Sequence, residues 1–388
     1  AESQDGVTWT KPDLGIVEYD GSKANNLVGL TSLEGVVFRD PNAPAAERYA
    51  YVTHLWEEGM VRFHSPDGWH WNRDAAPLIH FGADTQNVTF WDERIGKYVM
   101  YLRGWYRGAD KLKYRRVVRV ETPSLTQPLP AEPTETSMRL WGKDKVAVIG
   151  DEFPAVFGTD ERDPKNSDVY NLPAQPYPLD SRWIVGFPSM FQRERTTSDG
   201  RLEIQFAGSR DGITWHRYDR APYIRPGLAD SDDASMAFMG TGMVVRGDEI
   251  WQYATGLRSR HGDREARQQR TDGIIYRYVQ RVDGFVSLDF DSVGGQARTK
   301  PVKVEAPRLS LNVDTGALGA LRVGLLDASG QPLEGFGVEQ CDVLRTNSAH
   351  ATISWRGQND LSSLQGREVR VAFAGARAKV FSFHFEQP

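Results

Sequence analysis

The sequence predicts an all-β chain, a five-bladed β-propeller followed by a β-sandwich domain, and three observations predict it. A seven-residue phrase, Ser-x-Asp-Gly-x-x-Trp, recurs as SQDGVTW (3–9), SPDGWHW (65–71) and SRDGITW (209–215). The chain around these copies reads as short β-rich runs joined by turns, with long 3.6-period stretches nearly absent. After about residue 289 the phrase stops, and apolar and polar residues alternate to the end, as in RLSLNVDTGALGALRVGLLDASGQPLEGF and ATISWRGQNDLSSLQGREVRVAFAGARAKVFSFHF.

A phrase repeated at such distances marks a repeated structural unit. Its Asp-Gly pair signals a hairpin turn, with Gly free to take positive φ. The Ser and Asp side chains can accept from N–H groups inside the turn, and the Trp opens the next strand. Weaker copies are VETPSLTQP (120–128), which has lost Gly and Trp, and RVDGFVSLD (281–289), which keeps Asp-Gly. With Asp5, Asp67, Thr122, Asp211 and Asp283 as markers, the chain divides into five units of roughly 55 to 90 residues.

The runs between the markers have a common form. NVTFWDERIGKYVMYLRGW (87–105) is two β-rich runs about an acidic turn at Asp92. AQPYPLDSRWIVGFPSMF (174–191) turns at 179–181, and MGTGMVVRGDEIWQYATG (239–256) turns at 246–248. GVVFRDPNAPAAERYAYVTH (35–54) has a longer turn. Five four-stranded units make five blades. No strands precede the first marker, so the first blade is expected to be incomplete and the chain to be a piece of a longer product. The expected domains are 1–293, the propeller, and 294–388, the sandwich, with GGQARTKPVKVEAP (294–307) as junction.

Bulk properties narrow the function classes. A length of 388 residues suits two domains, and 39% apolar with 26% charged residues suits a globular chain. A net charge of −5 gives no electrostatic reason to expect a nucleic acid. No apolar run approaches the roughly 20 residues of a membrane span. The single cysteine, Cys341, excludes an intramolecular disulfide. Eleven Trp and fourteen Tyr supply flat rings that serve sugar sites and sheet cores alike. HExxH, GxSxG and Cys/His zinc spacings are absent, DSDDAS (230–235) lacks the Gly and Glu of an EF-hand loop, and GTG (240–242) is too short for a dinucleotide fingerprint.

Propeller sites lie where innermost strands begin, and three aspartates stand there by count. Asp84 lies fourteen residues before Tyr98, Asp168 fifteen before Trp183, and Asp233 eighteen before Trp251. Converging carboxylates suit glycoside hydrolysis, in which one protonates the leaving oxygen and another attacks the anomeric carbon or activates water. Crowded like charges keep one of them protonated near neutral pH. Asp84 reads as base or nucleophile and Asp233 as its opposing partner. Taken singly, each also reads as an ordinary turn-capping Asp.

Asp40, in FRDP (38–41), aligns with the turn residue Asp92 and is assigned to the far end of its strand; Glu34 is the nearer acid in that unit, though poorly aligned. For substrate contacts, Arg103 and Trp105 of YLRGWYRG (101–108) offer a donor fork and a stacking ring. Gln86 and Asn87 follow Asp84 and could read hydroxyls, and Tyr170 stands in the same relation to Asp168. The basic run RSRHGDREARQQR (258–270) is a solvated loop or, more sharply, a reader of anionic groups on the substrate.

Several stretches together carry a family resemblance: SQDGVTWTKPDLGIVEYDGSKANNLV, DPNAPAAERY, DTQNVTFWDERIGKYVMYLRG, RVDGFVSLD and LSLNVDTGALGALRVGLLDASGQPLEGF. They resemble bacterial, planctomycete-type proteins of the glycoside hydrolase family 32 N-terminal-like group, related to families 32 and 43. The resemblance implies a five-bladed propeller with a C-terminal sandwich and three acidic residues from successive blades, which fall on Asp84, Asp168 and Asp233. The NDPNG-type and EC motifs of fructan hydrolases are absent, so fructose specificity is not implied.

The expected function is therefore a glycoside hydrolase acting on a plant or algal oligo- or polysaccharide, secreted or periplasmic. The rivals are a non-catalytic carbohydrate-binding propeller and an interaction scaffold. No cofactor is required by this chemistry, and the propeller axis leaves room for a structural cation. The expected partner is carbohydrate, with no nucleic acid and no membrane span.

Overall fold

Two of the three repeated phrases end a strand of a four-stranded or divided antiparallel sheet, and they fold alike. The computed structural model describes residues 1–387 apart from 31, 33, 136, 139–145 and 264–272. In it Ser65 Oγ accepts from Gly68 N at 2.8 Å while Asp67 Oδ1 accepts from the N–H groups of Trp69 and His70, both at 2.8 Å. The same set is built by Ser209, Asp211 and Gly212, and by Ser3, Asp5 and Gly6. The three glycines have φ of 72°, 83° and 73°, the left-handed region that L side chains avoid. The phrase is thus a self-contained turn written into seven residues.

The chain is all-β; among the described residues helix is confined to three single 3-10 turns. Strands β1 (Val36–Arg39), β2 (Tyr49–Leu55), β3 (Gly59–Ser65) and β4 (Asn72–Arg73) form one antiparallel sheet in chain order. Strands β5 (Val88–Asp92), β6 (Lys97–Arg107), β7 (Lys113–Thr122) and β8 (Ala155–Phe157) form the next in the same way. Such consecutive four-stranded meanders are the blades of a propeller. Their middle strands are buried on both faces, which is why β2 and β6 read as nearly continuous apolar runs rather than alternating ones. Asp40 closes β1 at its far end, accepting from Tyr98 Oη at 2.6 Å, as the turn assignment expects.

The third blade is broken across its middle. Strands β9 (Ser167–Asn171), β10 (Ala174–Tyr177), β11 (Asp180–Gly186), β12 (Ser189–Arg193), β13 (Gly200–Ile204) and β14 (Ala207–Ser209) divide into β10-β11-β14 and β9-β12-β13. Pro173 and Pro188 sit at the breaks, where a missing N–H stops a ladder, and their carbonyls accept from Phe187 N and Gln205 N across the gap. A single parallel register, Leu202 with Met236, joins β13 to β15 (Met236–Met239). Strands β16 (Val244–Arg246), β17 (Glu249–Leu257) and β18 (Gly273–Arg281) complete that sheet. The first copy of the phrase lies against it: Tyr253 Oη donates to Gly6 O at 3.0 Å and Arg277 to Asp5 O at 2.7 Å.

The cores lie between sheets. Ala50, Val52 and Met60 pack with Tyr98, Met100, Leu102 and Val118, and Val88, Val99 and Tyr101 pack with Val169, Leu172 and Ile184. Apolar burial between blade faces, rather than within any one sheet, holds the repeats together.

The described residues form two compact units, 1–244 with 251–278 and 245–250 with 279–388. The second unit is a sandwich of β19 (Leu288–Phe290), β20 (Gly295–Arg298), β21 (Val302–Lys303), β22 (Arg308–Asp314), β23 (Ala320–Leu326), β24 (Asn347–Thr352), β25 (Glu368–Ala376) and β26 (Ala378–Glu386). One sheet is β19-β26-β22-β24; in the other, β20, β21 and β23 pair with β25. The division falls earlier than the 293/294 boundary read from the sequence. The stretch 294–307, expected as a junction, supplies β20 and β21, and β19 already pairs with β26. The Asp283 copy of the phrase likewise belongs to the sandwich, where Ser382 Oγ donates to its carboxylate. Strands of two to four residues carry too little periodicity to be seen in advance.

Candidate active site

Two acidic residues stand at the mouths of β1 and β5, near enough for the charge of one to act on the other. Glu34 stands two residues before β1, and Asp84 four before β5. Asn87 ties the two strand mouths together: its backbone N–H donates to Glu34 O at 2.7 Å, and its Nδ2 donates to Ala83 O at 2.6 Å and Thr85 O at 2.7 Å. Asn87 is fully buried and its amide is committed to these carbonyls. It therefore positions the site and does not read substrate hydroxyls, which corrects the sequence expectation.

The Asp84 carboxyl keeps 22% of its side-chain surface and Glu34 keeps 30%, so both remain reachable. Burial pushes the Asp84 carboxyl above the ordinary carboxylate range; Arg103 opposes this, and the nearby Glu34 charge adds to it. Arg103 donates to the Asp84 carbonyl and sits 3.3 Å from its Oδ2. Glu34 Oε2 lies 2.9 Å from His54 Nδ1, and the His54 ring is buried.

Beneath this pair is a layer of arginines and rings. Arg103 is buried, donates through Nη2 to Tyr170 O at 2.6 Å, and lies 4.1 Å from the Tyr170 ring centre. Arg115 lies between the rings of Trp105, Tyr170 and Phe191 at 5.0, 5.1 and 4.9 Å. Trp105 is thus buried as a platform for guanidinium groups, packed with Met138 and Val148, rather than exposed as a surface for sugars. Arg103 likewise braces the site from within.

Asp168 is placed differently from its expected role. It lies inside β9, with its side chain fully buried, and Oδ2 accepts from Arg193 Nη2 at 2.6 Å and Arg115 Nη1 at 3.2 Å. A carboxylate sealed between two guanidinium groups has no face for a substrate, so Asp168 positions the arginine layer. Counting back fifteen residues from Trp183 misplaced it, because the proline break between β9 and β10 shifts the register of this blade.

Asp233 does stand at a strand mouth, three residues before β15, and accepts from Ser231 Oγ at 2.7 Å. Burial, and after it the Asp233 charge, raises the Tyr276 and Tyr278 hydroxyls of β18 above the ordinary phenol range. Among the described residues no contact links Asp233 to Asp84 or Glu34. Gln86 and Tyr170 are half-buried near the pair: Gln86 Oε1 is 3.4 Å from Asn171 Nδ2, and Tyr170 Oη is 3.0 Å from His261 Nε2. The basic run 258–270 is described only to residue 263; within it Arg258 and Arg260 pair with acids, and residues 264–270 lie outside the described residues.

Of the residues expected at the site, Asp84 stands at a strand mouth with Arg103 against it and Tyr170 against Arg103; Glu34, expected only as the nearer acid of its unit, lies close by, and His54, Arg115 and Arg193 were not expected there. Glu34 aligned poorly by count because the turn between β1 and β2 is long. The others lie on second and third strands, where no local pattern separates a site arginine from a surface one.

No family model matches the chain, and no curated protein matches it in sequence. Its architecture resembles several solved structures at low identity. They include a glycoside hydrolase at 13% identity and TM-score 0.39, with 72% of this chain and 70% of that one covered. A family 43 arabinoxylan arabinofuranohydrolase from Bacillus subtilis, in complex with cellotetraose, is 11% identical, TM-score 0.33, with 91% and 79% covered. A family 32 β-fructofuranosidase from Bombyx mori is 7% identical, TM-score 0.35, also with 91% and 79% covered. At this level of likeness no residue is assigned a role by comparison. No helix among the described residues is long and apolar enough to cross a membrane.

Proposed function

We propose that the chain is a glycoside hydrolase whose reacting carboxyls are Asp84 and Glu34, with a plant or algal oligo- or polysaccharide as substrate. The observation that supports this most is a pair of partly accessible carboxyls from neighbouring strand mouths, one of them raised above its ordinary range and the other held against an imidazole. Such a pair divides the work of glycosidic cleavage. Asp84, holding its proton to higher pH, donates to the departing glycosidic oxygen as the bond to the anomeric carbon breaks. Glu34 takes the opposite part, either attacking the anomeric carbon or removing a proton from water.

This reverses the part first given to Asp84, since burial favours its neutral, donating form. It also replaces Asp233 by Glu34 as the partner. Asp168 stays in the proposal as a positioning residue acting through Arg115 and Arg193. Gln86 and Tyr170 remain the candidates for sugar contact, with no cofactor needed for the reaction and a secreted or periplasmic setting for such substrates.

The test is release of reducing ends from a panel of plant and algal glycans by the wild type, Asp84→Asn and Glu34→Gln. Loss of about 100-fold or more in kcat in each variant is expected, as for removal of a general acid or its partner. A wild type that binds a glycan yet cleaves nothing on the panel would move the assignment to the carbohydrate-binding reading. Undiminished cleavage by both variants would remove the pair from the site.

A further inference from the structure

The sandwich carries a second cluster of chemistry-bearing side chains, remote in sequence from the carboxyl pair. In β22, Leu309, Leu311 and Val313 enter the sandwich core, so alternation places Ser310 on the opposite face. Ser310 stands directly across from His384 of β26 and Arg308 across from Glu386, while Thr352 of β24 pairs with Ser310 from the other side. Cross-strand partners share a face, and residues two apart on a strand share it too. His384, Glu386, Ser310 and His350 therefore project to one side of one sheet.

The side chains meet there. One ligating atom from each of His350, His384 and Glu386 lies within 4.8 Å of the other two, and the two imidazole rings are 6.0 Å apart, edge to face. Glu386 Oε2 is 3.1 Å from His384 Nε2, and Asp248 Oδ1 is 3.1 Å from His350 Nε2. Beside them the Ser310 hydroxyl is fully buried with no hydrogen-bond partner among the described residues.

We propose that His350, His384 and Glu386 bind a divalent transition-metal ion of the zinc class. Two imidazoles and one carboxylate are the donor set such ions take, at about 2.0–2.2 Å from the metal. Ligating atoms around one ion stand about 3.5 Å apart, so the three must close by about an ångström. Rotation of their partly exposed side chains on a paired sheet supplies that movement. The ion takes the place of the direct contact between His384 Nε2 and Glu386 Oε2. Asp248 supplies the carboxylate that orients a ligating imidazole from outside.

The experiment uses the full chain without a histidine tag, stripped with chelator and titrated with Co²⁺ followed by its visible ligand-field absorption, then with Zn²⁺ by calorimetry. One ion per chain is expected, with a raised unfolding temperature when it is bound. His350→Ala and His384→Ala each weaken binding by about 100-fold or more, and Asp248→Asn by about 10-fold, while His216→Ala, on the other unit, changes nothing. Circular dichroism of each variant checks that the exposed substitutions leave the fold intact. Absence of saturable binding, or binding unchanged in either ligand-histidine variant, overturns the site.

Discussion

Asp84 and Asp168 are both aspartates held by arginine, yet physics gives them opposite parts. Asp84 is raised because burial outweighs Arg103, so the folded chain releases that proton at higher pH than the unfolded chain does. The unfolded carboxyl ionises first, and the folded state is penalised increasingly as pH rises from the ordinary carboxylate range through the folded value. Asp84→Asn removes this penalty. It should melt a few degrees above the wild type at about pH 8 and match it at about pH 3, while losing activity. Asp168→Ala should do the reverse, leaving the Arg115 and Arg193 charges buried without a counter-charge at a cost of about 3–5 kcal/mol, read by urea unfolding. If Asp168→Ala instead unfolds like the wild type, the buried-triad account of that residue fails. Asp84 was legible in the sequence because it stands alone before a clear apolar strand. Asp168 was misread because an aspartate before a strand and one inside it look the same when a proline break hides where the strand begins.

At the scale of elements the repeated turn makes a graded prediction. Gly6, Gly68 and Gly212 all occupy positive φ, but they differ in what surrounds them. A Cβ on Gly68 meets no atom within 4 Å, so Gly68→Ala should cost only the backbone term, about 1 kcal/mol. A Cβ on Gly212 would stand 2.7 Å from Tyr101 Oη and on Gly6 2.6 Å from Tyr253 Oη, each a ring already bonded to that turn. Those two substitutions should cost about 1–3 kcal/mol more, measured by denaturant midpoint at constant slope. Equal losses at all three would mean that the turns bear only on themselves. The turn was fully legible because its chemistry is local: seven residues contain both the glycine at positive φ and the oxygens that stabilise the turn. The blade pairing was legible where strands are long, as in β5–β6. It was not where pairing is set by tertiary partners, as with the two-residue β21 or the single parallel bridge from β13 to β15.

Across the whole molecule, two separate hydrophobic cores imply two stabilities rather than one. The carboxyl pair and its arginine layer lie within the unit 1–244 with 251–278, whereas His350, His384 and Glu386 lie within the unit 245–250 with 279–388. The sandwich core is closed by Trp355, 2% exposed, whose Nε1 donates to Val323 O at 2.9 Å and whose ring meets Phe336 edge-on. Truncating it removes the largest fully buried side chain of that core and leaves the Val323 carbonyl without its donor. Trp355→Ala should therefore cost the sandwich about 3–5 kcal/mol. If each unit owes its stability to its own core, calorimetry of the wild type should resolve two transitions, and the variant should shift one of them downward and leave the other in place. Glycan cleavage measured below both transitions should be unchanged, since no residue of the carboxyl pair touches that core. A single transition that moves as a whole in Trp355→Ala would show that the units fold as one cooperative body, and the strands β17 and β18, which run through the division, would then be the elements that couple them.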